Sequence, residues 1–307
     1  EFSKGTGSDP KDVLTKQGDF PGKDLYEGTL SILQTYQDSE ALRSASAELN
    51  SLDHILEGRK PHESDQLHFL ASETPDGALA ARVMADFCAK RFERKATKAH
   101  LIEGLQVQDG ARFRRYGLRS LIKTLYGILK DAPAGTYTRI LNPTGGFKGV
   151  VPYLTVIGMI EPEIEVSYIY EKSPELITLA GLPVNLNYEA LEGAYEALDT
   201  CLHEKQLSYN ELAELLDVPG QPIGSHPAWP LFDRVDVDDE PYYELNGLGQ
   251  IVYQHLAEER KQAPVYLSRQ AKEKYESYDK TQQKKFAMMF SRMGDAEWRE
   301  SMRHATK

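Results

Sequence analysis

The sequence predicts an α/β fold built on a Rossmann-like, doubly wound parallel sheet. Short β-branched stretches alternate with amphipathic helical ones from Gln66 to Glu171, the order of parallel strands joined by right-handed crossovers. Polar or glycine-bearing turns follow the strands at their carboxyl ends, where such sheets collect ligands. One of these turns, Asn142-Pro143-Thr144-Gly145-Gly146-Phe147-Lys148, joins a strand at Thr136–Leu141 to an almost wholly apolar stretch from Gly149 to Ile160. That stretch suits a helix packed inside an α/β layer.

Taken in order, the chain begins at Glu1 without a methionine and opens on a polar loop, Ser3 to Pro10, as a sequence entered mid-protein would. Two helical stretches follow, Asp24 to Gln37 and Glu40 to Leu56, the second with Leu42, Leu49, Leu52 and Leu56 on roughly one side. A strand, Gln66 to Ala71, ends in Ser72-Glu73-Thr74-Pro75-Asp76-Gly77. The helix Ala78 to Arg94 then turns Leu79, Val83, Met84, Phe87 and Cys88 inward. Lys98 to Glu103 is the next strand, running into Gly104-Leu105-Gln106. The helix Arg112 to Lys130 carries Phe113, Leu118, Leu121, Ile122, Leu125 and Ile128, and Glu165 to Glu171 is the fourth strand.

The chemistry concentrates in the turns. In Thr144-Gly145-Gly146-Phe147-Lys148 the glycines admit a ligand to the backbone N–H groups, and the helix start favours negative charge. Thr144 adds a hydroxyl and Lys148 a movable cation. This is a phosphate cradle of a non-Walker kind, because the G-x-x-x-x-G-K spacing is absent. A tight βα turn with a solvated Lys148 would use the same residues. Ser72-Glu73-Thr74 and Gly104-Leu105 fall at the same ends of their strands, so the three turns are expected to converge on one mouth, with Tyr116 or Tyr153 available to line it.

Composition narrows the classes. A net charge of −11 argues against a protein that coats nucleic acid. The charge is uneven: Glu189 to Glu244 holds 14 acidic residues against Lys205 and Arg234, whereas Glu259 to Lys307 holds 12 basic against seven acidic. Cys88 and Cys201 lie far apart on predicted helices and read as core thiols. With no apolar run of 18 residues and no visible signal peptide, the expectation is a cytoplasmic protein with no membrane partner. The eight histidines show no H-E-x-x-H or paired Cys/His spacing, so neither a metal nor another cofactor is expected. No G-x-S-x-G elbow occurs, and Asp236-Val237-Asp238-Asp239-Glu240 reads as a solvated turn.

The string LNPTGGFKGVVPYLTVIGMI, the EVSYIYE strand and the SETPDG turn before ALAARVMADFC together resemble CARF domains, the sensor modules of type III CRISPR ancillary effectors. The resemblance covers roughly residues 20 to 188. It implies a homodimer that binds a cyclic oligoadenylate, most simply cyclic tetra-adenylate, across its two-fold axis. By position Thr144, Gly145, Gly146 and Lys148 match the phosphate-binding turn of that family, and Ser72, Glu73 and Thr74 its second ligand loop. The family begins with a strand ending in a Gly-Thr-Ser loop. Nothing before Phe20 resembles that strand, so it is expected to precede Glu1.

Residues 189–258 read as a connector: a helix over Glu189–Lys205, a capping box at Ser208-Tyr209-Asn210-Glu211 opening a helix through Asp217, a hairpin of Leu231–Val237 and Tyr242–Leu245, and a helix from Asn246 to Glu258. The order resembles a winged helix. Its acidity and the lack of Lys or Arg in Val218–Pro230 point to a connector or protein-docking surface, with no DNA partner. In residues 259–307 a strand at Val265–Ser268 and helices at Arg269–Tyr278 and Thr281–Met293 resemble the opening of RelE-type messenger-RNA interferases. The second helix carries Phe286, Met289, Phe290 and Met293 as its buried stripe. The catalytic sheet of that family would follow Lys307, so no catalytic residue is assigned, Arg299, Arg303 and His304 included.

The resemblances imply a ribonuclease activated by cyclic tetra-adenylate, with the translating ribosome and its messenger RNA as partners. A transcriptional regulator of sensor plus winged helix is the second reading. A sensor that cleaves its own cyclic ligand, with Lys148 at the reacting phosphate, is the third.

Overall fold

A computed structural model describes residues 8–93, 96–106, 108–132, 135–145, 148–161, 163–170, 175–179, 181, 187, 191, 193–204, 206–218, 222–238, 240–259, 268–279, 282, 283, 286, 289 and 290. The chain divides into two compact units, Glu1–Ile251 and Val252–Lys307.

The first unit opens with α1 (Pro10–Thr15), α2 (Lys23–Thr35), α3 (Ser39–Ala45) and α4 (Ala47–Ile55). α1 lies where a polar loop is expected to end. Asp9 caps it by accepting from Lys11 N at 2.8 Å, Pro10 suits its first turn, and Val13 is buried. The expected helix Glu40 to Leu56 is divided in two. Ser46 takes an extended backbone (φ −157°, ψ 160°) and caps α4, its Oγ accepting from Leu49 N at 3.1 Å.

The α/β alternation follows as β1 (Leu67–Ser72), α5 (Pro75–Arg91), β2 (Thr97–Ile102), a helical turn α6 (Gly110–Arg112), a π turn (Phe113–Gly117) and α7 (Leu118–Asp131). After these come β3 (Arg139–Leu141), a 3-10 turn (Lys148–Val150), α8 (Val151–Ile160), β4 (Ile164–Ile169) and β5 (Leu176–Leu179). β1 pairs in parallel with β2, Leu67 opposite Thr97 and Ser72 opposite Ile102. β3 pairs in parallel with β4, Arg139 opposite Ile164.

Continuity is where the expectation fails. Among the described residues β1–β2 and β3–β4–β5 are separate sheets, and β5 is an antiparallel strand that the sequence reading lacks. Leu176-Ile177-Thr178-Leu179 is too short for alternation to mark, and Ile177 and Leu179 stand exposed. The expected strand Thr136–Leu141 shortens to Arg139–Leu141, after a turn with Gly135 at φ +79°. Ile140 on β3 is 38% exposed, and among the described residues β3 is an edge strand, paired only with β4.

Helix faces supply the packing. Leu121, Ile122, Leu125 and Leu129 of α7 join Leu154, Ile157 and Ile160 of α8 and Ile102 of β2 in one core. Leu30, Leu33, Leu42 and Leu49 join Val83, Met84, Phe87 and Cys88 of α5 in another. Burial pushes the Cys88 thiol up to about 12, as suits a core thiol.

The parallel register of β1 and β2 also builds a histidine pair. His68 Nδ1 lies 2.9 Å from His100 Nε2, the rings stack at 5.2 Å, and His68 Nε2 is 3.1 Å from Gln66 Oε1. The Gln66 amide in turn donates to Tyr137 Oη at 3.3 Å. Burial, and for His68 next the facing His100, holds both pKa values below 6.5; Lys98 lowers both further and Asp131 opposes this at His68. A depressed histidine pKa means that the unfolded chain binds the proton first. Stability present above pH 6.5 is therefore lost as pH falls through 6.5 toward the folded-state values. Thermal unfolding midpoints between pH 8 and 5 are expected to decline in that window, and His100→Asn to flatten the decline. Equal pH slopes in the two proteins would contradict the pairing.

The elements that follow are α9 (Tyr195–Glu204), β6 (Leu207–Ser208), α10 (Tyr209–Leu215), β7 (Phe232–Val237), β8 (Glu240–Leu245) and α11 (Gly247–Glu259). α9 is shorter than expected because Gly193 and Ala194 form a turn before it. The capping box at Ser208 is present, with Glu211 N donating to Ser208 Oγ and Ser208 N donating to Glu211 Oε2. The hairpin pairs Phe232 with Leu245 and Val237 with Glu240, and β6 adds to β8 in an antiparallel sheet of order β6-β8-β7. Asn246 caps α11 through Gly249 N at 2.9 Å. The described part of residues 218–230 contains two short 3-10 turns, Ile223–Ser225 and the start of Trp229–Leu231.

In the second unit α12 (Arg269–Glu276) forms as expected. The expected strand residues 265–267 lie outside the described residues, as do Met293, Arg299, Arg303 and His304. Phe286 stacks on Tyr278 at 4.9 Å and Phe290 meets Tyr275 at 5.6 Å, whereas Met289 is 41% exposed. The buried stripe expected at Phe286, Met289 and Phe290 is therefore narrower, with Phe286 and Phe290 against Tyr278 and Tyr275 and Met289 exposed.

Candidate functional site

The turn after β3 is built by Asn142. Its Oδ1 accepts from Thr144 N at 3.2 Å and from Thr144 Oγ1 at 2.7 Å, closing an Asx turn around Pro143. Its Nδ2 donates to Ser51 Oγ of α4 at 2.7 Å. Thr144 Oγ1 accepts from Ile169 N at 3.1 Å, fastening the turn to the end of β4. The Thr144 hydroxyl is thus engaged on both sides, and Gly145 is left exposed at the tip. Lys148 is exposed where the chain re-enters helix in the turn Lys148–Val150. Gly146 and Phe147 lie outside the described residues.

A second cluster forms at the ends of β1 and β2. Thr74 caps α5, its Oγ1 accepting from Gly77 N at 3.1 Å and lying 3.0 Å from Ser72 Oγ. Between them Glu73 reaches across to the β2 turn. Its N–H donates to Leu105 O at 2.7 Å, and its Oε2 accepts from Gly104 N at 2.9 Å and from Arg112 Nη2 at 2.8 Å. The hydrogen bond from Arg112 to Glu73, with the charge attraction behind it, raises the pKa of that guanidinium further. Gly104 and Leu105 are buried, Leu105 in the core with Ile102. Their place is behind the turn, supporting Glu73.

The hydrogen bonds of the first cluster run to α4 and β4, and those of the second to Gly104, Leu105 and Arg112. The sequence-expected residues are thus brought together in two groups. Sequence reasoning missed three partners. Asn142 was legible, since an Asn two residues before Thr is an Asx-turn signature. Arg112 and Ser51 gave no local signal, being 39 residues from Glu73 and 91 from Asn142 respectively.

A second arginine of this region reaches β8. Arg115, in the π turn, binds Glu244 of β8 through Nε–Oε2 at 3.0 Å and Nη2–Oε1 at 2.5 Å, and Gln206 Nε2 donates to Glu244 Oε1 at 2.7 Å. Arg112, bound to Glu73, and Arg115, bound to Glu244, thus lie within one helical turn of each other. Tyr116 is 46% exposed beside them. Tyr153, half-buried at the start of α8, has its pKa raised by burial and by Asp233, with Arg114 opposing.

Among the described residues no group of three or more His, Cys, Asp or Glu is placed to hold a metal ion, and no helix is long and apolar enough to cross a membrane. No curated protein matches the chain. Residues 43–182, which contain both clusters, match a family model described as CRISPR-associated protein (Cas_APE2256), and this match supports a CRISPR association for the chain.

Proposed function

We propose that the first unit is a sensor of cyclic oligoadenylate, with cyclic tetra-adenylate as the preferred ring, and that it works as a homodimer with the ligand across the two-fold axis. The observation that carries this reading is the Asn142–Gly145 turn. It is closed by its own Asx bonds, bears an exposed glycine and leads to exposed Lys148, all inside the stretch matched by the CRISPR-associated family. A cyclic phosphodiester with two-fold symmetry suits an isologous pair of such turns. Residues 189–258 would pass the signal to a RelE-like ribonuclease, of which residues 259–307 are the N-terminal part, acting on messenger RNA at the translating ribosome in the cytoplasm. The short 3-10 turns at Ile223–Ser225 and Trp229–Leu231 offer no long helix for a DNA groove, which favours this reading over the regulator.

Lys148→Ala is expected to weaken cyclic tetra-adenylate by about 1.5–3 kcal/mol per subunit, the loss of one charge-assisted contact. Isothermal titration at fixed salt measures this. Equal affinity in the two proteins would remove Lys148 from the site.

A further inference from the structure

Gly145 has a neighbour that the ligand reading does not use. A Cβ built on it would overlap the carboxylate of Glu48, so the open face of this glycine is filled by an acidic side chain. Glu48 sits in the first turn of α4, directly after the Ser46 cap, where an acid is ordinarily explained by the helix dipole. Here its position is fixed from both sides. Leu49 is buried in the core with Val83 and Met84, and fully buried Ser51 accepts from Asn142 Nδ2 at 2.7 Å. Among the described residues the Glu48 carboxylate takes no hydrogen bond, although it is half-buried against the turn. A carboxylate and a phosphodiester are both anions that seek backbone N–H groups and cations, so the two compete for one place.

We propose that Glu48 is the resident anion of the Asn142–Gly145 turn, a latch that an incoming phosphodiester must displace. The proposal rests on the assignment of this turn as the phosphate site and adds which side chain fills the space beside Gly145. The charge also screens ligands: a single phosphate must overcome it alone, whereas a ring presenting several phosphates meets it with contacts to spare.

The test is Glu48→Gln, which keeps the shape and removes the charge, compared with the parent chain by isothermal titration. Two probes are used, cyclic tetra-adenylate and inorganic tripolyphosphate, with equal thermal unfolding midpoints as the control for folding. Removing a like charge at contact range is expected to tighten both probes about tenfold. If the ring binds both proteins equally or binds Glu48→Gln more weakly, the latch is overturned while the sensor reading stands. If the ring binds neither protein but tripolyphosphate tightens on Glu48→Gln, the latch stands and the oligoadenylate reading fails. If neither probe binds either protein, both fail. Should Glu48→Gln unfold, Glu48→Ala and Glu48→Asp decide instead. The latch then requires tighter binding by the alanine variant and little change in the aspartate variant.

Discussion

Replacing Arg115 with alanine is expected to lower the unfolding free energy by about 3 kcal/mol, because it strands a buried carboxylate. The Glu244 side chain is only 5% exposed, and after the change its remaining donor is neutral Gln206. Glu244→Ala is expected to cost less, about 1–2 kcal/mol, since Arg115 is 35% exposed and can turn its charge to water. The double replacement Arg115→Met with Glu244→Leu should recover most of the loss, as apolar groups of similar volume commonly do in place of a buried pair. Urea unfolding of the 307-residue chain measures all of these. Equal losses for Arg115→Ala and Glu244→Ala would show that the carboxylate is solvated and that the argument from burial fails.

The second large effect is expected at Gly104. Its φ of +75° is costly for any residue with a side chain, and a Cβ there would lie 2.7 Å from Gly117 N and 2.8 Å from Tyr116 Cβ. Left-handed strain and overpacking add to about 2–4 kcal/mol for Gly104→Val. The backbone must move away from the π turn, and Gly104 N then leaves Glu73 Oε2. Glu73 would keep Arg112 but lose the fixed geometry that holds the Ser72–Thr74 turn against β2. Gly117→Ala should act from the other side, since its Cβ would overlap Gly104 O. Chemical denaturation gives the stability loss. A Gly104→Val protein as stable as the parent would mean that the two turns are not in contact.

How much of this was legible depends on the range of each interaction. The strand–turn–helix units around Leu67–Ser72, Thr97–Ile102 and Arg139–Leu141 were readable because alternation and helical spacing are local signals. The Ser208 capping box and the hairpin before Asn246 were readable for the same reason. Ser46 was missed because a serine inside a leucine-spaced helix reads as a tolerated interior residue until its extended backbone is seen. The division of the sheet was missed because alternation reports strands and not which edges pair. At the turn after β3, Thr144 and Gly145 were visible in the sequence, but Ser51, which bonds Asn142, and Glu48, which lies against Gly145, come from a helix about a third of the chain earlier. Ser72, Glu73 and Thr74 were visible as a turn. Their division of labour, Thr74 capping α5 and Glu73 bracing Gly104 and Arg112, required the fold.

If the first unit is a cyclic oligoadenylate sensor, as proposed, the ring must bind the isolated protein. Titration of the folded chain with cyclic tri-, tetra- and hexa-adenylate at one salt concentration tests it most directly. Saturable binding of the tetra-adenylate at one ring per two chains is expected, weakened in Lys148→Ala. Absence of binding by all three rings, in a protein whose cooperative unfolding shows it is folded, would contradict it.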